Sequence, residues 1–109
     1  MTRRLTHEDV PFRTYRRRGD GRGFTVKSVR LSAHARDQAR HRGATQDEIM
    51  QTIRDGSWLP AERGRFAASW EFAYNADWNG QHYRTKRVRP VFADEPDEIV
   101  VVTVYTYYY

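Results

Sequence analysis

From Phe66 to Tyr74 the chain alternates, with Phe66, Ala68, Trp70, Phe72 and Tyr74 set against Ala67, Ser69, Glu71 and Ala73. A period of two suits a strand with one apolar face; on a helix the same residues would scatter around the axis. A strand needs hydrogen-bonding neighbours and a cover for its apolar side. The run therefore predicts a sheet, with the even positions, Trp70 and Phe72 among them, turned to a core.

The flanking sequence supplies both. Asn79-Gly80 is a type I′ hairpin pair, because both central residues of that turn need positive φ. It returns the chain into a long basic strand over 82–92. Asp94-Glu95-Pro96-Asp97 reads as a second turn. The β-branched stretch from Ile99 to Thr106 is apolar on both faces as far as Val102, which places it inside the sheet. Upstream, Ser32 is an N-cap for a helix running from Ala33 to Arg42, which Gly43 ends. Thr45 and Glu48 form a capping box for a second helix, which carries Ile49, Met50 and Ile53 on one stripe to about Asp55 and stops at Gly56. Neither helix is long enough to hold alone. A short strand is expected from Phe24 to Leu31. The expected fold is α+β: two short helices packed on one face of an antiparallel sheet of three to four strands.

The chain has 109 residues and no cysteine, which sets one domain and excludes disulfides and thiolate metal sites. No histidine spacing points to a metal, and no glycine pattern to a phosphate-binding loop, so no cofactor is expected. Hydrophobic residues make up 39% and charged residues 30%, a globular rather than a membrane composition. The longest apolar run, Ile99 to Val102, is far too short to span a bilayer, and the N-terminus lacks the apolar stretch of a secretory signal, so the cytoplasm is the expected location.

The net charge of +5 is unevenly placed. Residues 1–23 carry seven arginines against Glu8, Asp9 and Asp20, a net of +4, and residues 24–109 carry only +1. With Gly19, Gly21 and Gly23 as a break, 1–23 reads as a basic flexible arm and 24–109 as the folded domain. Such an arm either binds a polyanion or an acidic protein, or simply keeps the chain solvated.

Three clusters carry candidate chemistry. His34, Gln38 and Arg42 share a helix face; an imidazole that moves a proton near neutral pH, beside guanidinium groups that hold phosphate, suits phosphodiester cleavage, and an ordinary exposed basic helix fits the same pattern. On the basic strand, alternation places Arg84 and Lys86 with His82 on one face and Arg87 and Arg89 on the other. That strand is either a charged edge or the floor of an anion site. On the last strand Thr103, Tyr105 and Tyr107 share a face, fit to bind phosphate or stack a base, or to serve only as strand formers.

The segment His34-Ala35-Arg36-Asp37-Gln38-Ala39-Arg40-His41-Arg42-Gly43, followed by Asp47-Glu48-Ile49, resembles the "HAxxRxxxRG…eeI" opening of a widespread uncharacterised bacterial domain family. The ending Glu98-Ile99-Val100-Val101-Val102-Thr103-Val104-Tyr105 resembles that family's final "eivVvTvY" strand. Together the two motifs span roughly residues 26 to 109. The family is grouped with the RelE-like toxins, within the barnase, EndoU, colicin and RelE-like set of small nucleases. The resemblance implies a RelE-like fold and a toxin-type endoribonuclease that cleaves RNA without metal, through attack of the ribose 2′-hydroxyl. It implies that His34, Arg42 and Thr103 stand at the family's helix and last-strand positions; the mechanism expected from this sequence has His34 as acid or base, Arg42 with Lys86 or Arg87 as phosphate clamps, and Thr103 with Tyr105 as orienting groups. It implies RNA as substrate and an antitoxin or immunity protein as partner. Gln38 departs from the pattern, which has Arg there, and so removes one cation from the helix. The competing expectation is a non-catalytic RNA- or protein-binding module, or a neutralising partner of another toxin.

Overall fold

The computed structural model describes residues 13–17 and 25–109. Both helices form as the caps dictate. The first, α1, spans Ala33–Arg42: the Ser32 hydroxyl accepts from the Ala35 N–H, and Gly43 closes the helix in the left-handed region with φ 79°. The second, α2, spans Gln46–Asp55 behind a complete Thr45–Glu48 capping box. Its buried residues, Ile49, Met50, Thr52 and Ile53, form a stripe on the core, whereas α1 buries only Ala35 and Ala39.

The strands are β1 (Arg13–Arg17), β2 (Thr25–Leu31), β3 (Leu59–Pro60), β4 (Phe66–Ala67), β5 (Trp70–Trp78), β6 (Gln81–Asp94) and β7 (Glu98–Tyr108). They make one sheet in the order β1-β2-β7-β6-β4-β3, with β5 also on β6. The sheet is α+β as expected, but larger than the three to four strands foreseen, and mixed rather than antiparallel. β2 lies parallel to β7, Ser28 to Leu31 beside Glu98 to Val101. The whole chain from α1 to β6 intervenes between these two strands, so no hairpin constrains their direction. The basic segment 1–23 is described only over Arg13–Arg17, which pair antiparallel with β2 where the sequence shows no period; its remainder lies outside the described residues.

The period-two run is one strand path with an interruption. The pairs Phe66–Phe92, Ala67–Val91 and Trp70–Val88 share a single register along β6. Between them the Ala68 N–H donates to the Pro90 carbonyl at 3.3 Å. Pro90 has no N–H to return to Ala68, so the ladder breaks there. Trp70 is not a core residue, contrary to its alternation: it is 37% exposed, whereas Phe72 packs half-buried against the core. Alternation sets the side of the sheet; helix cover sets the burial, and that cover ends where Gly56 abuts Ala68 and Ser69. Downstream, Asn79 and Gly80 both take positive φ, 51° and 81°, as a type I′ turn requires.

The core lies between the helices and one face of the sheet, where Val29, Val88, Phe92, Ile99, Val101 and Val104 meet Ala35, Ile49, Met50 and Ile53. A register shift between Val91 and Phe92 inserts one extra residue in β7, so Val101 and Val104, three apart, both point inward. The shift also turns Thr103 and Tyr105 to the opposite face. No helix among the described residues packs on that side.

Candidate functional site

The first helix is held to the sheet by polar groups. β2 ends at Leu31, and beyond it the edge of β7 would be bare. α1 takes the place of the missing strand: the Ser32 N–H donates to the Val101 carbonyl at 2.9 Å, Gln38 Oε1 accepts from the Val104 N–H at 2.9 Å, and Arg42 Nη1 donates to the Val104 carbonyl at 2.7 Å. The Arg42 carbonyl in turn accepts from Thr106 Oγ1 at 2.8 Å and the Tyr108 hydroxyl at 2.6 Å. Gln38, the residue that departs from the resembled pattern, thus supplies the acceptor a strand neighbour would have given. The Tyr108 ring stacks on Trp78 at 5.0 Å and sits so close to Gly43 that a Cβ there would lie 2.4 Å from its oxygen. Burial pushes the Tyr108 phenol up to about 12.

The expected catalytic residues divide between places. His34 is exposed and lines a groove along α1 with Arg36, Asp37, Arg40 and Gln46. Lys86 is 5% exposed on the core face, with its ammonium donating to the Gly43 carbonyl at 2.8 Å and paired with Glu48 at 2.9 Å. It joins α1 to α2 and has no place in an anion site. Thr103 and Tyr105 line a concavity on the uncovered face of the sheet, and Arg87 stands exposed further along it. Arg42 lies between the two regions: besides Val104, its guanidinium packs 5.3 Å from the centre of the Tyr105 ring.

The uncovered face carries the most coherent arrangement. Register sets Arg89 beside Tyr105 and Arg87 beside Tyr107, with Glu71 across from Arg87. The Arg89 guanidinium lies 5.7 Å from the Tyr105 ring centre, so that ring is flanked by two arginines. Three depressions of about 360, 310 and 430 Å³ follow one another from this face to the margin where α2 ends, the second being lined also by Asp55 and Gly56. Arg89 lines the first two and Arg87 the last two, so the basic strand threads all three. The first also holds Glu62, Arg63 and Arg65 from the turn between β3 and β4, and the last holds Trp70.

None of Arg63, Arg65, Arg87 and Arg89 forms an ion pair among the described residues. Tyr105 and Tyr107 are exposed between them. At the end of the strand the Tyr109 hydroxyl donates to Glu71, and that hydrogen bond raises the phenol above its ordinary range. Arg63 and Arg65 were not legible as site residues, since their stretch has neither period nor motif. The only signal was the Arg63-Gly64 turn pair.

A family model described as a domain of unknown function, DUF4258, matches residues 31–106. The chain belongs to the DUF4258 family. The matched region opens on the last residue of β2 and closes on Thr106, so the α1–β7 junction apart from Tyr108, the β3–β4 turn and the arginine track fall within the DUF4258 domain. Neither a curated protein nor a solved structure matches the chain. No helix among the described residues of this DUF4258 protein is long and apolar enough to cross a membrane.

Proposed function

We propose that this DUF4258 domain binds single-stranded RNA along the uncovered face of its sheet. The observation that carries the reading is the run of four arginines without carboxylate partners among the described residues, interleaved with the exposed rings of Tyr105 and Tyr107. Guanidinium groups neutralise phosphates and release counterions; aromatic rings stack on bases irrespective of sequence. An acidic antitoxin or immunity protein would find its complement on the same face.

The test is anisotropy with a labelled single-stranded RNA over a salt series. Replacing Arg87 and Arg89 together by Ala removes two phosphate contacts and should make the log–log salt slope shallower by about 1.4. Tyr105→Ala should weaken binding by roughly 1–3 kcal/mol if a base stacks there. An unchanged slope, or no binding to any RNA, would overturn the proposal.

The endoribonuclease reading, in keeping with a RelE-like grouping, is favoured by one further observation: Thr103 and Tyr105 do line the most cationic of the three depressions, with Arg63, Arg65 and Arg89. There the 2′-oxygen would attack phosphorus and the 5′-oxygen would leave, with the arginines stabilising the extra negative charge. The proton from the 2′-hydroxyl would pass to the Glu62 carboxylate, which lines the same depression, and a solvent water would protonate the leaving 5′-oxygen, while His34 lines another groove. Incubation of RNA with Glu62→Gln and His34→Ala separates the two assignments. Loss of cleavage with the first alone supports the concavity. Loss with the second alone returns the chemistry to the helix.

A further inference from the structure

The two tight turns of this domain differ in one respect. In the hairpin between β5 and β6 the left-handed positions fall to Asn79 and Gly80, residues that accept them readily. In the turn between β3 and β4 they fall to Arg63 and Gly64, at φ 61° and 71°. The turn is closed by the Arg65 N–H donating to the Glu62 carbonyl at 3.2 Å and the Ala61 N–H donating to the Arg65 carbonyl at 2.8 Å. An L-residue with a Cβ in the left-handed region carries a steric cost that asparagine and glycine largely avoid. No ion pair or hydrogen bond of the Arg63 side chain within the described residues offsets that cost. Its side chain lines the concavity with Arg65, Arg89, Thr103 and Tyr105.

We infer that the Glu62–Arg65 turn is a ligand-binding loop, which holds Arg63 in a strained conformation so that its guanidinium joins Arg65 and Arg89 around one phosphodiester whose base stacks on Tyr105. The inference rests on the RNA reading above and adds to it the element that completes the site. The β6–β7 surface supplies the stacking ring and Arg89; the β3–β4 turn supplies the two cations on the other side. Backbone strain at an otherwise unsupported position is the kind of cost that a binding role offsets. The consequence is that stability and binding oppose each other at a single residue.

The experiment pairs thermal unfolding with RNA anisotropy on Arg63→Asn, Arg63→Gly and Arg63→Lys. Arg63→Asn should raise the melting temperature by about 3–6 °C while making the salt slope shallower by about 0.7, the share of one phosphate on a single strand. Arg63→Gly should show the same loss of slope whatever its stability. Arg63→Lys keeps the charge and the strain, and should keep the slope with an unchanged melting temperature. A gain in stability with slope and affinity untouched would overturn the inference, leaving Arg63 an ordinary surface residue. An Arg63→Asn melting temperature that does not rise would remove the strain argument. If Arg89→Ala also leaves binding untouched, the reading of the whole face fails, and not the loop alone.

Discussion

Along β6 the two faces of the sheet handle positive charge in opposite ways. On the covered face Lys86 and Lys27 are almost wholly buried, and each has a carboxylate: Glu48 for the first and Asp94, at 2.5 Å, for the second. On the uncovered face Arg87 and Arg89, from the same strand as Lys86, have none among the described residues. A buried ammonium without a partner costs several kcal/mol, so the core admits only paired cations. Water solvates an exposed guanidinium at little cost, so it persists unpaired and available to a ligand. Partnering therefore separates the structural cations from the candidates for binding more sharply than charge or position along the chain does.

The largest effect should come from breaking a pair on the covered face. Lys86→Ala leaves the Gly43 carbonyl and the Glu48 carboxylate without their partner between the two helices, and denaturant titration should show a loss of about 3 kcal/mol. Arg87→Ala and Arg89→Ala should each stay within about 0.5 kcal/mol of the parent. Equal losses on the two faces would erase the distinction. The junction of α1 with β7 comes next. Gln38→Ala strands the Val104 N–H, and hydrogen exchange at that amide should speed up with a stability loss of about 1–2 kcal/mol. Unaltered exchange would mean that water replaces Gln38 there, so that α1 does not act as a strand surrogate. The smallest effect concerns pH. The Tyr108 phenol is raised to about 12 in the folded chain and stands near 10 when unfolded, so the folded state holds its proton longer. The stability tied to that proton is complete below pH 10 and falls as pH rises towards 12. Tyr108→Phe should flatten this decline at a cost of about 1 kcal/mol at neutral pH, seen in unfolding curves from pH 8 to 12.

Much of this molecule was legible before its structure. The glycine stops, the Ser32 cap and the Thr45–Glu48 box placed both helices, because capping is a matter of a few adjacent residues. Asn79-Gly80 placed the main hairpin for the same reason, and the double-faced apolar run placed β7 inside the sheet. Trp70 was misread because alternation reports the side of a strand, and only the reach of the helices decides what is covered. The parallel pairing of β2 with β7 was out of reach, since no local signal fixes the direction of strands so distant in sequence.

The same division runs through the candidate site. By itself the sequence determined the basic character of β6, its alternation and the place of Thr103 and Tyr105 on one face, since each follows from period and composition. Only the tertiary structure decided that Lys86 belongs to the core, that Gln38 and Arg42 hold the edge of β7, and that Arg63 and Arg65 join Arg89 around Tyr105. The physical reason is that a side chain's partner is set by distance in space. These partners lie tens of residues apart in the chain, where neither periodicity nor capping reaches.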